Sequence, residues 1–216
     1  MSITNNIIKF DNYTKKFHNE TVLNNITLSI EEGKCYGFVG RNGSGKSLLF
    51  KALCGFIRAS SGEVYVNGMK IGTEIDFPEN TGILIESPGF LPSYSALDNL
   101  KFLASINNKI QDDKIIDTLK LVGLDPANKK KVKNFSLGMK QRLGIAQAIM
   151  EDPSLLVLDE PMNGLDKNGV LHIRNILLEL KKSNKTILLT SHIQQDIDEL
   201  CDHVYEMDDG NLSIIR

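Results

Sequence analysis

Apolar and polar positions divide the chain into two kinds of segment. Three segments alternate apolar with polar residues, which predicts antiparallel strands with one face towards solvent: residues 7–10, 22–30 and 64–66. Three others are continuous apolar runs, typical of strands buried on both faces of a parallel sheet: residues 35–39, 155–158 and 186–189. The pattern predicts an α/β fold with a mainly parallel core sheet and an N-terminal antiparallel β lobe.

Helical spacing dominates from about residue 87 to residue 134. Apolar residues there recur along two helical faces: Leu97, Leu100, Leu103 and Ile106 on one, and Ile115, Ile116, Leu119 and Val122 on the other. Residues 170–182 predict another helix, which restores the alternation of helix and strand before residues 186–189. We therefore predict one domain over residues 1–216, with a helical subdomain inserted at residues 87–134.

Glycine is concentrated just after the apolar run at residues 35–39. The segment Gly40-Arg41-Asn42-Gly43-Ser44-Gly45-Lys46-Ser47 fits the phosphate-binding pattern G-x-x-x-x-G-K-[ST]. Backbone N–H groups of such a loop surround the α- and β-phosphates, the lysine reaches the β- and γ-phosphates, and the hydroxyl ligates Mg²⁺. A helix beginning near Leu48 completes the context that the motif requires. The segment predicts a site for a nucleoside triphosphate with Mg²⁺.

Two carboxylates, Asp159 and Glu160, directly follow the apolar run at residues 155–158. Carboxylates at the end of such a strand lie beside the phosphate loop, so we expect Asp159 to hold Mg²⁺ through water. Glu160 is predicted to orient and polarise the water that attacks the γ-phosphate. An acidic pair after a strand is often only a helix cap, and the phosphate loop favours the catalytic interpretation here.

A third motif lies between these two: Asn134-Phe135-Ser136-Leu137-Gly138-Met139-Lys140-Gln141-Arg142. It resembles the signature motif of the ABC ATPases, usually written LSGGQ, with Ser136 and Gly138 retained and three other positions changed. A helical run at residues 143–150 follows the motif. Ser136 is a good N-cap, and Gly138 permits close backbone approach at a positive helix end. The resemblance implies that this helix end contacts the γ-phosphate of ATP held by the other subunit.

The resemblance extends from about residue 7 to the end of the chain. Asp166 ends a segment, Asn163-Gly164-Leu165-Asp166, that resembles the D-loop, which crosses the dimer interface and couples the two ATP sites. His192 follows the apolar run at residues 186–189 and resembles the switch histidine, which implies contacts with the γ-phosphate and the attacking water. Phe17 aligns with the aromatic residue that stacks on adenine. Tyr13 is interpreted as packing, and an exchange of these two roles stays open.

Glu86 stands where most ABC ATPases have glutamine. A carboxylate keeps the reach of the amide, but it adds a charge, loses both N–H donors and is a harder ligand for Mg²⁺. We expect Glu86 to take part in catalysis and metal binding, and its charge to raise the pKa of one of the carboxylates Glu86 and Glu160 without metal. Glu86 with Ile85 and the following Pro88-Gly89-Phe90 resembles the ATPase subunits of bacitracin and lantibiotic self-protection exporters.

Composition narrows the class of partner. The net charge is −2, from 25 basic and 27 acidic residues, which gives no electrostatic case for binding nucleic acid. No apolar run approaches the length of a membrane span, and the N-terminal residues lack a basic-then-apolar signal, so we expect a cytoplasmic protein. Three cysteines without metal-ligand spacing fit a reducing compartment: Cys35, Cys54 and Cys201.

One set of motifs indicates one nucleotide-binding domain, and the resemblance implies a head-to-tail pair with two ATP molecules between the subunits. Because one chain carries every element, a homodimer is the simpler arrangement, and a heterodimer with a related ATPase stays open. The leading hypothesis is an ATPase that drives an integral-membrane permease on a separate chain. The permease is expected to dock near residues 86–94 and the helical subdomain, which would hold the ATPase on the inner face of the cell membrane.

The narrower resemblance implies export of an antibacterial peptide or similar amphiphile, in the manner of bacteriocin immunity. The alternative is a non-transport ABC ATPase that acts on a soluble assembly or scaffold. A third interpretation, a small-molecule kinase with a phosphate loop, predicts no signature helix and ranks last.

Overall fold

Two β-sheets organise the chain in the computed structural model, which describes residues 6–86 and 89–216. The strands of the described residues are β1 (Asn6–Phe17), β2 (Glu20–Glu31), β3 (Cys35–Val39), β4 (Ser61–Val66), β5 (Met69–Lys70), β6 (Thr81–Leu84), β7 (Leu155–Leu158), β8 (Thr186–Thr190), β9 (His203–Asp208) and β10 (Asn211–Ile214). The larger sheet has the order β10-β9-β3-β8-β7-β6, and the smaller has the order β2-β1-β4-β5.

The larger sheet is the predicted parallel core. Strands β9, β3, β8, β7 and β6 pair in parallel, and β10 is antiparallel to β9 at one edge. All four residues of β7 are buried. Leu155 and Val157 belong to the apolar core on the side of the N-terminal lobe, whereas Leu156 and Leu158 belong to the core on the helical side. A strand between two apolar cores has no polar face, which explains its continuous apolar sequence.

The smaller sheet is antiparallel throughout and forms the predicted N-terminal lobe. Its strands alternate buried with exposed residues because one face packs on the rest of the molecule. Ile8 and Phe10 of β1 share an apolar core with Phe50, which lies in the helix that follows β3.

The helices of the described residues are α1 (Lys46–Leu53), α2 (Ala96–Asn107), α3 (Asp112–Leu121), α4 (Leu137–Ile149), α5 (Lys167–Lys182) and α6 (Gln194–Leu200), with a 3₁₀ turn at Val132–Asn134. Helices α2 and α3 and the turn lie within residues 87–134, where the sequence predicts a helical subdomain. Residues 87 and 88, at the start of that subdomain, lie outside the described residues. Ser95 and Asp98 form a capping box that fixes the start of α2.

One residue that the sequence assigns to an apolar helical face is not buried in the structure. Ile106 is exposed, so its assignment to the apolar face with Leu100 is wrong. Ala104, four residues after Leu100, is buried instead, because side chains at this spacing lie on one side of a helix. On α3 the prediction is confirmed for Ile115 and Leu119, which are both buried.

The end of the chain adds elements that the apolar pattern does not predict. Helix α6 has 7 residues, and β9 buries only Val204 and Met207 although it pairs in parallel with β3. Strands β3, β8 and β7 are consecutive neighbours in the sheet. The loops that leave their carboxyl ends therefore converge at one edge, where open parallel sheets bind ligands.

Candidate functional site

The phosphate loop turns sharply between β3 and α1. Gly40 and Gly45 have φ values of 139° and 114°, a region that a residue with a side chain rarely adopts. A Cβ atom on Gly40 would also lie 2.1 Å from the backbone oxygen of Met207. Lys46 Nζ spans the loop and donates to the backbone oxygens of Gly40 and Arg41, at 2.8 and 2.9 Å. The loop therefore keeps a buried ammonium group at its centre.

Helix α1 begins without a side-chain cap. Gly45 holds the N-cap position, so the N–H groups of the first turn receive no side-chain acceptor there. The Ser44 hydroxyl oxygen is buried and has no hydrogen-bond partner within the described residues. Uncapped N–H groups, a buried hydroxyl and a lysine at a helix N-terminus fit the phosphates of a nucleotide.

Two side chains with oxygen atoms that could bind a metal ion meet beside this loop. Ser47 Oγ donates a hydrogen bond of 2.6 Å to Asp159 Oδ2, and Thr190 Oγ1 donates one of 2.7 Å to Asp159 Oδ1. A hydroxyl and a carboxylate fit Mg²⁺, which is usually held by one or two protein oxygens together with phosphate oxygens and waters. Residues 6–86 and 89–216 contain no cluster of three or more His, Cys, Asp or Glu side chains suited to a metal. The donors present thus fit a metal shared with a bound nucleotide.

Glu160 is held in a left-handed backbone conformation, with φ at 49°. Its N–H donates to Thr190 Oγ1 at 2.8 Å, and its backbone oxygen accepts from Gln141 Nε2 at 2.9 Å. The carboxylate oxygen Oε1 lies 3.1 Å from His192 Nε2. Oε1 is buried, and no side chain of the described residues donates a hydrogen bond to it.

Burial raises the pKa of Glu160 above its ordinary value. The charge of Asp159 raises this pKa further, whereas His192 and Lys46 lower it. A base with a raised pKa accepts a proton more readily from water, which suits the role predicted for Glu160.

Nine of the residues predicted for the site line one open pocket. They come from the phosphate loop and from the ends of β7 and β8: Asn42, Gly43, Gly45, Lys46, Ser47, Leu48, Asp159, Glu160 and His192. Gly40, Arg41 and Ser44 complete the loop behind them. The structure thus brings together residues that are up to 150 positions apart in the sequence.

Glu86 is not among the residues that line this pocket. It follows β6, has a φ of 56°, and its carboxylate lies 2.5 Å from Lys51 Nζ of α1. Its side chain is 62% exposed. Its roles in catalysis and metal binding stay predictions. Pro88, part of the motif that carries the narrower resemblance, lies outside the described residues.

The two aromatic residues of β1 have different surroundings. Phe17 is 42% exposed at the end of the strand, and Lys15 Nζ lies 4.8 Å from its ring centre. Tyr13 is buried, packs edge-on against Phe10, and has its pKa raised to about 12 by burial. These positions favour Phe17 over Tyr13 as the ring available to a base.

The residues predicted to serve the opposite ATP lie outside the pocket. Ser136 Oγ caps α4 and accepts from the Met139 N–H, and Asp166 Oδ1 caps α5 and accepts from the Gly169 N–H. Gly138 passes close to the D-loop, since a Cβ atom on it would lie 3.0 Å from the backbone oxygen of Gly164. Their contacts with a second subunit stay predictions.

The structure also reveals three features that sequence reasoning missed. Gln141 and Thr190 fix the backbone of Glu160 by hydrogen bonds. Both residues stand within or beside recognisable motifs, but the sequence gives no sign of these contacts. Arg174 and Asp196 form a buried ion pair of 2.6 Å between α5 and α6. Asp196 also accepts from the Ser191 hydroxyl, next to His192. No local signal points to that pair, because its partners are 22 residues apart.

Comparison with known proteins identifies this arrangement. Residues 23–163 match the model of the ABC transporter family, which covers well over half of the chain. The chain belongs to the ABC transporter family. The fold agrees, because the chain superposes with a TM-score of 0.85 on the dimeric post-hydrolysis structure of the ATP-binding cassette MJ0796 bound to ADP and Pi, covering 97% of this chain and 99% of that one at 23% identity.

Named relatives support the same assignment. The uncharacterized ABC transporter ATP-binding protein YybJ of Bacillus subtilis is 46% identical over 206 residues, which are 95% of this chain and 94% of YybJ. The bacitracin transport ATP-binding protein BcrA of Enterococcus faecalis is 38% identical, covering 98% of this chain and 70% of BcrA. The lantibiotic transport ATP-binding protein SrtF of Streptococcus pyogenes is 37% identical, covering 95% of this chain and 89% of SrtF.

The predicted family and fold are thereby confirmed, and the chain is the ATP-binding, ATP-hydrolysing subunit of an ABC transporter. Proteins of this family work with membrane permeases. Among the described helices, none combines the length and the apolar character that a membrane span requires.

Proposed function

We propose that this ABC ATPase hydrolyses ATP with the residues gathered at the carboxyl ends of β3, β7 and β8. Glu160 is the general base, and the contact that carries this assignment is the 3.1 Å approach of its buried oxygen Oε1 to His192 Nε2. His192 helps to hold the attacking water and the γ-phosphate. The raised pKa of Glu160 supports its role in accepting the proton of that water.

The remaining side chains of the pocket bind and orient the nucleotide. Lys46 exchanges its contacts with the loop carbonyls for the β- and γ-phosphates, while the N–H groups from Gly43 to Leu48 hold the phosphate oxygens. Ser47 and Asp159 would hold Mg²⁺, which would neutralise negative charge on the phosphates. Phe17 stacks on the adenine ring, as its exposure at the end of β1 supports.

The complete site requires a second subunit in this proposal. Ser136 and Gly138 at the start of α4 contact the γ-phosphate of the ATP held by the opposite subunit, and Asp166 couples the two sites. The pair is a head-to-tail homodimer of single nucleotide-binding domains, each with a helical subdomain at residues 87–134. A related ATPase as the second subunit is the other arrangement to test.

We further propose that the permease is a separate integral-membrane chain and that this subunit lies at the inner face of the cell membrane. Three exposed apolar side chains of the helical region support docking there: Leu91, Tyr94 and Phe102. The names of the relatives BcrA and SrtF support export of an antibacterial peptide or similar amphiphile.

Glu160→Gln tests the catalytic assignment. The amide keeps the shape of the side chain but accepts no proton, so kcat should fall about 100-fold or more while ATP binding persists. Glu179→Gln, on the exposed side of α5, is the matched control and should hydrolyse ATP normally. A Glu160→Gln protein with the kcat of the unaltered protein would refute the assignment of the base.

The partner is tested by tagging the chain in its native cells and solubilising the membranes in mild detergent without added ATP. Mass spectrometry should find a multi-span hydrophobic chain in near-equal amount. Recovery with soluble partners alone would favour the non-transport class and leave the ATPase assignment intact.

A further inference from the structure

Gln141 connects the signature helix to the backbone of the proposed base. It lies on α4, just over one turn after the capping residue Ser136, and its Nε2 donates to the backbone oxygen of Glu160 at 2.9 Å. On the other side of the same residue, the Glu160 N–H donates to Thr190 Oγ1 at 2.8 Å. Hydrogen bonds from two different elements therefore fix the backbone of Glu160 on both sides.

The conformation of Glu160 explains why it needs this support. Its φ of 49° lies in the left-handed region, which is unfavourable for a residue with a Cβ atom. Such a conformation persists only where surrounding contacts determine it. In this orientation, the side chain approaches His192 and lines the pocket of the phosphate loop. A relaxed backbone at Glu160 would move the carboxylate away from the position of the attacking water.

We infer that Gln141 is a positioning residue for hydrolysis, which holds the Glu160 carbonyl so that the carboxylate points at the attacking water. The inference rests on the proposed role of Glu160. Gln141 contacts the backbone of Glu160, and it is not among the residues that line the nucleotide pocket. Its removal should therefore slow the chemical step without weakening ATP binding.

Two substitutions test this inference. Gln141→Ala removes the side chain and suits a helix, whereas Gln141→Glu keeps the length but replaces the N–H donor with an acceptor. In each variant we expect kcat to fall about tenfold, as expected for the loss of one positioning hydrogen bond. KM, affinity for a fluorescent ATP analogue and melting temperature should stay close to those of the unaltered protein.

Gln147→Ala is the matched control. Gln147 lies on the same helix and makes no side-chain hydrogen bond within the described part of the chain. Its removal should leave kcat unchanged. A second readout is single-turnover hydrolysis in the Glu160→Gln background, where adding Gln141→Ala should slow the reaction no further, because the group being positioned is already disabled.

The results separate this inference from the proposed function. An unchanged kcat in both Gln141 variants, with Glu160→Gln inactive, would overturn the inference alone. A fall in kcat that is matched by weaker ATP binding or a lower melting temperature would assign Gln141 to packing and also overturn it. Normal hydrolysis by Glu160→Gln would remove the base itself, and with it both claims.

Discussion

Helices α1 and α4 both begin at sites proposed to face ATP, but their N-termini are built differently. Helix α1 starts after Gly45, in a left-handed conformation and without a side-chain cap. Helix α4 starts after Ser136, whose hydroxyl accepts the N–H of Met139 at 3.2 Å. The first residue of α1 is the buried, positively charged Lys46, whereas the first residue of α4 is the exposed, uncharged Leu137.

The difference indicates how the two ends are used. At α1 a single chain supplies the glycines, the lysine, the uncapped N–H groups and the nearby carboxylates, so that end can bind phosphate by itself. At α4 the chain satisfies one N–H group internally, and the first turn of this helix carries no acidic residue, which fits an end that completes a site on another subunit. Helix α1 therefore suits the binding of ATP within one subunit, whereas α4 suits the completion of the ATP site of the other subunit.

The largest expected effect comes from removing the cation at α1. Lys46→Ala should lower ATP affinity by about 100-fold or more, because several charge-assisted hydrogen bonds to phosphate are lost. Equilibrium binding of a fluorescent ATP analogue measures this. Lys182→Ala, an exposed lysine of α5, is the control and should bind ATP normally. Similar affinities in both variants would mean that α1 does not bind the phosphates.

A mixing experiment tests whether α4 serves the opposite subunit. Gly138→Asp should block the signature helix, since its carboxylate would repel the γ-phosphate, and Lys46→Ala blocks the phosphate loop. Each variant alone should be inactive. In a mixed head-to-tail pair, however, the phosphate loop of the Gly138→Asp subunit faces the signature helix of the Lys46→Ala subunit, and that one site is intact. Mixing equal amounts should restore about a quarter of the ATPase rate if half of the pairs are mixed. No recovery, with both variants folded and pairing, would contradict the proposed arrangement.

The smallest effect is expected at Glu86, which pairs with Lys51 and is not among the residues that line the pocket. Hydrolysis requires ionised Glu160, and burial raises the pKa of this carboxyl, so the rate should fall as the pH decreases through that raised value. Glu86→Gln removes one negative charge and should lower the pKa of Glu160, which moves the acidic limb of the rate profile to lower pH. The shift should stay below about half a pH unit, because Lys51 already neutralises Glu86. If the pH–rate profiles of Glu86→Gln and the unaltered protein were identical, the charge of Glu86 would have no effect on the pKa of Glu160.

Much of the fold and site follows from the sequence because local chemistry determines it. The four aliphatic residues of β7 predict a strand buried on both faces, and the structure confirms it. The glycines and Lys46 predict the phosphate loop, since few other sequences allow the backbone to turn so sharply with a cation at its centre. The order of the motifs identified the family, and the comparisons confirm it.

Only the tertiary structure decided contacts between elements that are distant along the chain. Gln141 approaches the Glu160 carbonyl because α4 packs on β6, the neighbour of β7 in the sheet, and nothing in its own sequence neighbourhood specifies that partner. Glu86 pairs with Lys51 and does not line the pocket, which depends on where α1 lies relative to β6. Sequence patterns fix conformations that a few neighbouring residues determine. The partner of a hydrogen bond or an ion pair depends on how whole elements pack, and that becomes defined only in the folded chain.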